Sequence, residues 1–126
     1  MIKILIAEDE RDIRELIAFS LKGLGGFNVV LASNGADAVE RATAEPPDLI
    51  LMDVRMPRMT GYEACKKLKE NDSTKSIPVI FLSAKGQESE IQQGLNVGAE
   101  EYILKPFAPD ELVNQVRGVL KRIGKA

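Results

Sequence analysis

Residues 48–61 read DLILMDVRMPRMTG: four consecutive bulky apolar side chains, Leu49 to Met52, run into an acid, Asp53, and then into a loop carrying Pro57 and Gly61. A strand with one wet face alternates apolar and polar residues, whereas a continuous apolar run fits a strand covered on both faces, as in a parallel sheet. Asp48 to Met52 is therefore expected to be the central strand. Parallel strands need crossovers, and the flanking sequence should supply helices on either side.

It does so in both directions. Upstream, the apolar run Lys3 to Ala7 leads into a segment whose Ile13, Leu16, Ile17, Leu21 and Leu24 are expected on one helical face, ended by Gly25 and Gly26. Phe27 to Ala32 is a second strand, and Gly35 opens a helix that turns Ala38, Val39 and Ala42 inward until Pro46 and Pro47 stop it. Downstream, a helix from Tyr62 to Glu70 presents Cys65 and Leu68. Ile77 to Leu82 then makes a fourth strand, with Pro78 near its start, where a missing N–H is tolerated.

A fourth helix, Glu88 to Val97, is closed by Gly98, and Tyr102 to Leu104 makes a short fifth strand. Pro109 suits the first turn of a last helix carrying Leu112, Val116, Val119, Leu120 and Ile123, although Gly118 in its interior costs about 1 kcal/mol relative to Ala. The βα pattern thus repeats five times. Right-handed crossovers make this a doubly wound α/β sandwich, in which ligands bind beyond the carboxyl ends of the strands.

Composition limits what such a site can do. The 126 residues suffice for one core, so residues 1–126 are read as a single domain with no output module. Apolar residues are 44 % and charged ones 29 %, the balance of a globular domain. Lys plus Arg number 17 against 19 Asp plus Glu, a net charge of −2, which gives no field for holding nucleic acid directly. Lys121, Arg122 and Lys125 are read as complements to a helix dipole. One cysteine, no signal-peptide pattern and no membrane-length apolar run lead us to expect a cytoplasmic protein. With no histidine, Ser-His and Cys-His nucleophile pairs and His-ligated zinc are excluded, leaving carboxylates, hydroxyls, lysine and a hard metal ion.

The residues at the strand ends are of just these types. Glu8 and Asp9 follow the first strand, Asp53 the third, Ser83 the fourth and Lys105 the fifth. Each alone has an ordinary explanation: a helix cap for the acids, a turn for Ser83, a solvated cation for Lys105. Gathered on one rim, three carboxylates repel one another and call for a cation. Lys105 offsets part of that charge, and an all-oxygen site without His or Cys suits Mg²⁺, which keeps room for water and a phosphate oxygen.

With these residues in view, the chain resembles response-regulator receiver domains of the CheY type over essentially its whole length. The matching stretches are the acidic pair in "LIAEDE", the acceptor and loop in "LMDVRMPRMTG", the hydroxyl in "FLSAK" and the lysine in "YILKPF". The resemblance implies a five-stranded sheet of order 2-1-3-4-5 with helices on both faces. It also implies that Asp53 accepts a phosphoryl group from a phosphohistidine on a sensor histidine kinase or phosphotransfer protein. Asp9, Asp53 and the backbone carbonyl of Arg55 would hold Mg²⁺, with Glu8 in direct or water-mediated contact. Lys105 would pair with a phosphoryl oxygen, its bond to Pro106 being cis. Ser83 would donate to another phosphoryl oxygen, and Tyr102 would be the aromatic switch.

The same resemblance puts the signal on the surface of the expected fourth helix, fifth strand and last helix, for a downstream protein to read. Arg55 and Lys85, two residues beyond the acceptor and the hydroxyl, are expected to tune phosphoryl lifetime. The chain is then a switch that assists its own phosphorylation and dephosphorylation, not a metabolic enzyme. Ile91 and Gln115 stand where transcriptional receivers that dimerise usually carry charge, which favours a monomer, with a dimer on phosphorylation as the second form. Among rivals, a nucleotide site needs glycines where "AEDE" stands, and a haloacid-dehalogenase phosphatase needs Asp where Arg55 stands. A phosphorylation-independent interaction module is the alternative that keeps the fold.

Overall fold

The computed structural model describes residues 1–84 and 97–125. The expected fourth helix, Ile91 included, lies outside the described residues apart from its last position, Val97, and so does Lys85. The strands are β1 (Lys3–Ala7), β2 (Asn28–Ala32), β3 (Leu49–Asp53), β4 (Val79–Ala84) and β5 (Glu101–Lys105). The described helices are α1 (Arg11–Phe19), α2 (Gly35–Ala44), α3 (Gly61–Glu70) and α4 (Pro109–Arg122). All strand pairs are parallel and the sheet order is β2-β1-β3-β4-β5, the doubly wound arrangement expected from the sequence.

The middle of the sheet is where the apolar run of residues 48–52 predicted it. Every residue of β3 is buried, and the alternation of its side chains divides the core in two. Ile50 and Met52 join Phe81, Ala38, Ala42, Cys65 and Leu68 on the α2 and α3 face. Leu49 and Leu51 join Ile4, Ile17, Leu112, Val116 and Leu120 on the α1 and α4 face. Each large aliphatic chain so buried stabilises the fold by roughly 1.5–3 kcal/mol.

Local signals set the helix starts. Asn34 accepts the Asp37 amide at 2.8 Å to cap α2. Thr60 and Glu63 form a reciprocal capping box at α3, at 3.2 and 3.0 Å. Glu111 accepts the Ala108 amide at 3.2 Å, so that side chain is engaged at the start of α4. Lys125 reaches Asp48 at 3.4 Å and Arg122 reaches the Glu100 carbonyl at 3.4 Å, so two of the terminal cations bond to groups outside their own helix. No described helix is long and apolar enough to cross a membrane.

The first helix departs from its expected face. Leu16 is 44 % and Leu24 53 % exposed, while Ser20 is buried. After Phe19 the backbone passes into a π-helical segment, Ser20–Leu24, whose wider turn shifts the phase and carries Leu24 outward. Ser20 occupies the inner stripe instead, its hydroxyl satisfied by the Leu16 carbonyl at 2.8 Å. The fifth strand is two residues longer than expected, because pairing with β4 extends from Glu101 to Lys105.

Candidate functional site

The C-terminal ends of β1, β3 and β5 bring Glu8, Asp9, Asp53 and Lys105 together. One carboxylate oxygen from each of Glu8, Asp9 and Asp53 lies within 4.8 Å of the other two, the one such acidic cluster among the described residues. Strand alternation puts Glu8, Asp53 and Lys105 on the same side of the sheet as Ile6, Leu51 and Ile103, the α1 and α4 side. The Lys105 ammonium donates to Glu8 Oε1 at 2.9 Å and lies 3.3 Å from Asp53 Oδ1. Asp9, Asp53, Arg55 and Lys105 line an open cleft of about 390 Å³, together with Glu10, Ile13 and Val54.

Burial differs sharply within the acidic group. Glu8 is fully buried, Asp53 nearly so, and Asp9 is exposed. Burial pushes the Glu8 carboxyl up from 4.5 to about 7; the Lys105 hydrogen bond and the Glu10 amide oppose that rise, and the Asp53 charge adds to it. Burial acts to lower the Lys105 ammonium, but Glu8 and Asp53 outweigh it and hold its pKa above the usual 10.5. The site is thus short of positive charge. Oxygen-only donors, one of them open to solvent at a cleft, fit a hard divalent ion that keeps part of its water.

The loop after Asp53 is held against the strand end by close backbone contacts. A Cβ on Gly61 would lie 2.3 Å from the Asp53 carbonyl oxygen, and one on Gly35 would lie 2.2 Å from the Met59 carbonyl oxygen. The Gly61 amide donates to the Val54 carbonyl at 2.8 Å, and Arg58 takes a positive φ of 69°. The Lys105–Pro106 bond is cis, as expected.

Neither Ser83 nor Tyr102 lines this cleft. Ser83 is buried inside β4, not just past it, one residue beyond the Leu82 that pairs with Asp53. By alternation its Cβ leaves β4 on the Phe81 side, at the same C-terminal rim of the sheet as Asp53 and Lys105. Tyr102 packs on that same side, its ring centroid 5.6 Å from Phe81 and its hydroxyl 3.0 Å from the Tyr62 hydroxyl. Tyr62 also meets Phe81 edge-on at 5.2 Å. The sequence reading gave no site role to Tyr62 or to Arg14, whose guanidinium bonds to the Glu8 and Asp9 carbonyls. The available signals were an aromatic directly after the loop glycine and a cation one helical turn after the acidic run.

Comparison with known proteins agrees with this geometry. The family model for the response regulator receiver domain matches residues 4–117. The phosphate regulon transcriptional regulatory protein PhoB of Pseudomonas aeruginosa is 45 % identical over 121 residues, covering 96 % of this chain and 52 % of that protein. The chain therefore spans about half the length of that curated relative. The structure of the chemotaxis response regulator CheY4 of Vibrio cholerae superposes with a TM-score of 0.90 at 32 % identity, covering 95 % of this chain and 99 % of that one. The receiver domain of sensor histidine kinase PA1611 from Pseudomonas aeruginosa PAO1, solved with a magnesium ion coordinated in its active site cleft, gives 0.83 at 31 % identity, covering 95 % and 94 %. By sheet order, acidic cleft and matched sequence alike, the chain belongs to the response regulator receiver domain family.

Proposed function

We propose that this receiver domain is a phosphoacceptor switch in which Asp53 takes a phosphoryl group, in a Mg²⁺-dependent reaction, from a phosphohistidine on a sensor kinase or phosphotransfer protein. The observation that carries this reading is the gathering of Glu8, Asp9 and Asp53 within 4.8 Å beside Lys105. The magnesium ion in the cleft of the related PA1611 receiver supports the choice of metal.

The Asp53 carboxylate oxygen attacks phosphorus in line. An O–P bond forms as the P–N bond to the donor's imidazole breaks, and the electron pair leaves with that nitrogen. The donor must bring the histidine, because this chain has none. Asp9, Asp53 and the Arg55 carbonyl would hold Mg²⁺, with Glu8 in direct or water-mediated contact. When bound, the ion supplies positive charge to the phosphoryl oxygens, where charge gathers in the transition state. Lys105, already poised over Asp53, turns part of its bonding from Glu8 to a phosphoryl oxygen.

Ser83 donates its hydroxyl to another phosphoryl oxygen, drawing the end of β4 toward Asp53. Tyr102 follows on β5, and a downstream protein reads the altered surface around β5 and α4, a two-state equilibrium biased by one covalent group. Arg55, which lines the cleft, and Lys85, which lies outside the described residues, would set how long the group survives hydrolysis. We place the reaction in the cytoplasm and treat the chain as a signalling switch, not a metabolic catalyst. The longer PhoB relatives are named as transcriptional regulators, and the half of them matched here is the part that would receive the signal.

Incubation with acetyl phosphate and Mg²⁺, followed by peptide mass mapping, tests this. The label is expected on the peptide holding Asp53, and it should vanish in EDTA and in Asp53→Asn. Labelling that persists in Asp53→Asn at wild-type level would rule the proposal out.

A further inference from the structure

We propose that Arg14 is a positioning residue for the acidic turn, fixing the backbone of Glu8 and Asp9 so that their carboxylates can share a divalent cation with Asp53. The inference rests on the metal reading of the cleft given above. Arg14 Nη1 donates to the Glu8 carbonyl at 2.8 Å and to the Asp9 carbonyl at 3.4 Å. These carbonyls lie where the chain leaves the sheet: the Glu8 amide still bonds to the Ala32 carbonyl at 3.1 Å, but β1 itself ends at Ala7. The N-cap residue Glu10 makes no side-chain cap at the start of α1, unlike Asn34 and Thr60 at α2 and α3, and within the turn the Glu8 carboxylate, itself a candidate metal ligand, accepts the Glu10 amide at 3.1 Å.

Arg14 adds a brace that uses no carboxylate, from one helical turn further on, its own amide donating to the Glu10 carbonyl at 2.9 Å. A guanidinium is suited to this because one planar, always charged group can serve two carbonyls, where an ammonium on a flexible stem holds a single position poorly. The division of labour with Lys105 follows from what each cation bonds. Lys105 binds carboxylate oxygens, which a metal or phosphoryl group would claim; Arg14 binds backbone carbonyls of the turn, so its bonds use no carboxylate oxygen and need not break when the carboxylates take a ligand. Asp9 depends on this most, since it is exposed.

The test is titration of the full chain with MgCl₂ by calorimetry, beside thermal unfolding in EDTA, for wild type, Arg14→Ala, Arg14→Lys and Arg11→Ala. Loss of a group that orients metal ligands typically weakens affinity by about 10-fold or more. Arg14→Ala is expected to weaken Mg²⁺ binding by that factor, with Arg14→Lys recovering part of it. In acetyl phosphate labelling, the Mg²⁺ concentration for half-maximal rate rises while the rate at saturation stays near wild type. Arg11→Ala removes the same charge from the same helix, its bond going to Glu15 at 3.2 Å, and should bind Mg²⁺ as wild type does. Equal weakening in Arg11→Ala, or wild-type affinity in a folded Arg14→Ala, overturns the role of Arg14 alone. A wild-type chain that binds no Mg²⁺ overturns the cleft reading as well.

Discussion

The Lys105 ammonium lies closer to Glu8, at 2.9 Å, than to Asp53, at 3.3 Å, so the cation beside Asp53 also serves the buried acid next to it. Both contacts join strand ends far apart in sequence, and the ammonium is only partly exposed. Removing it leaves two buried carboxylates with their repulsion unrelieved. Lys105→Met is expected to destabilise the metal-free chain by about 1–3 kcal/mol, the scale of hydrogen bonds to charged groups. It should also slow acetyl phosphate labelling at least tenfold. Urea unfolding in EDTA and a labelling time course check both, and an unchanged midpoint with an unchanged rate would contradict the bridging role.

Glu8 makes a prediction about pH. Its carboxyl is raised from 4.5 to about 7, mainly by burial, so the folded chain binds that proton more tightly than the unfolded chain does. Its contribution to stability is present in full below about pH 4.5 and is lost as the pH rises toward about 7. No histidine titrates in that window, and the acids held below their usual range, Asp48 among them, act beneath it. Unfolding free energy in EDTA should therefore fall between about pH 5 and pH 7.5, and Glu8→Gln should flatten the slope. A slope equally steep in the variant would show that another group sets it.

Two glycines separate local strain from helix propensity. A Cβ at Gly61 would press on the Asp53 carbonyl oxygen at 2.3 Å, while one at Gly118, inside α4, meets nothing within 4 Å. Gly61→Ala must push α3 off the acceptor strand, at about 1–3 kcal/mol, and should slow labelling of Asp53. Gly118→Ala should raise stability by about 0.5–1 kcal/mol and leave labelling alone. Chemical denaturation of the two variants side by side gives the signs.

The parallel sheet was legible because the signals are strong and local: the unbroken apolar run through Met52, the acids and lysine at strand ends, and the prolines and glycines that punctuate the helices; its strand order came from the resemblance to receiver domains. The acidic cluster was legible for the same reason, since strand ends converge in a parallel sheet whatever the helices do in detail. What escaped notice depends on tertiary fit. The π-helical segment that turns Leu24 outward and Ser20 inward leaves no mark in a periodicity count. The Tyr62–Tyr102 hydroxyl contact joins residues 40 apart in sequence, and the Arg14 bonds go to backbone carbonyls that every residue possesses. Ser83 was expected just beyond its strand and lies within it, because pairing with β5 carries β4 on to Ala84.

The central claim concerns what the strand-end carboxylates gather around. A crystal structure of the chain grown with Mg²⁺ and beryllium fluoride, a phosphoryl stand-in, addresses it directly. The account predicts the cation in contact with Asp9, Asp53 and the Arg55 carbonyl, and the fluoride group on Asp53 within reach of Lys105 and Ser83. Density for the cation elsewhere, with the cleft holding Lys105 still bonded to Glu8 and nothing on Asp53, would contradict it.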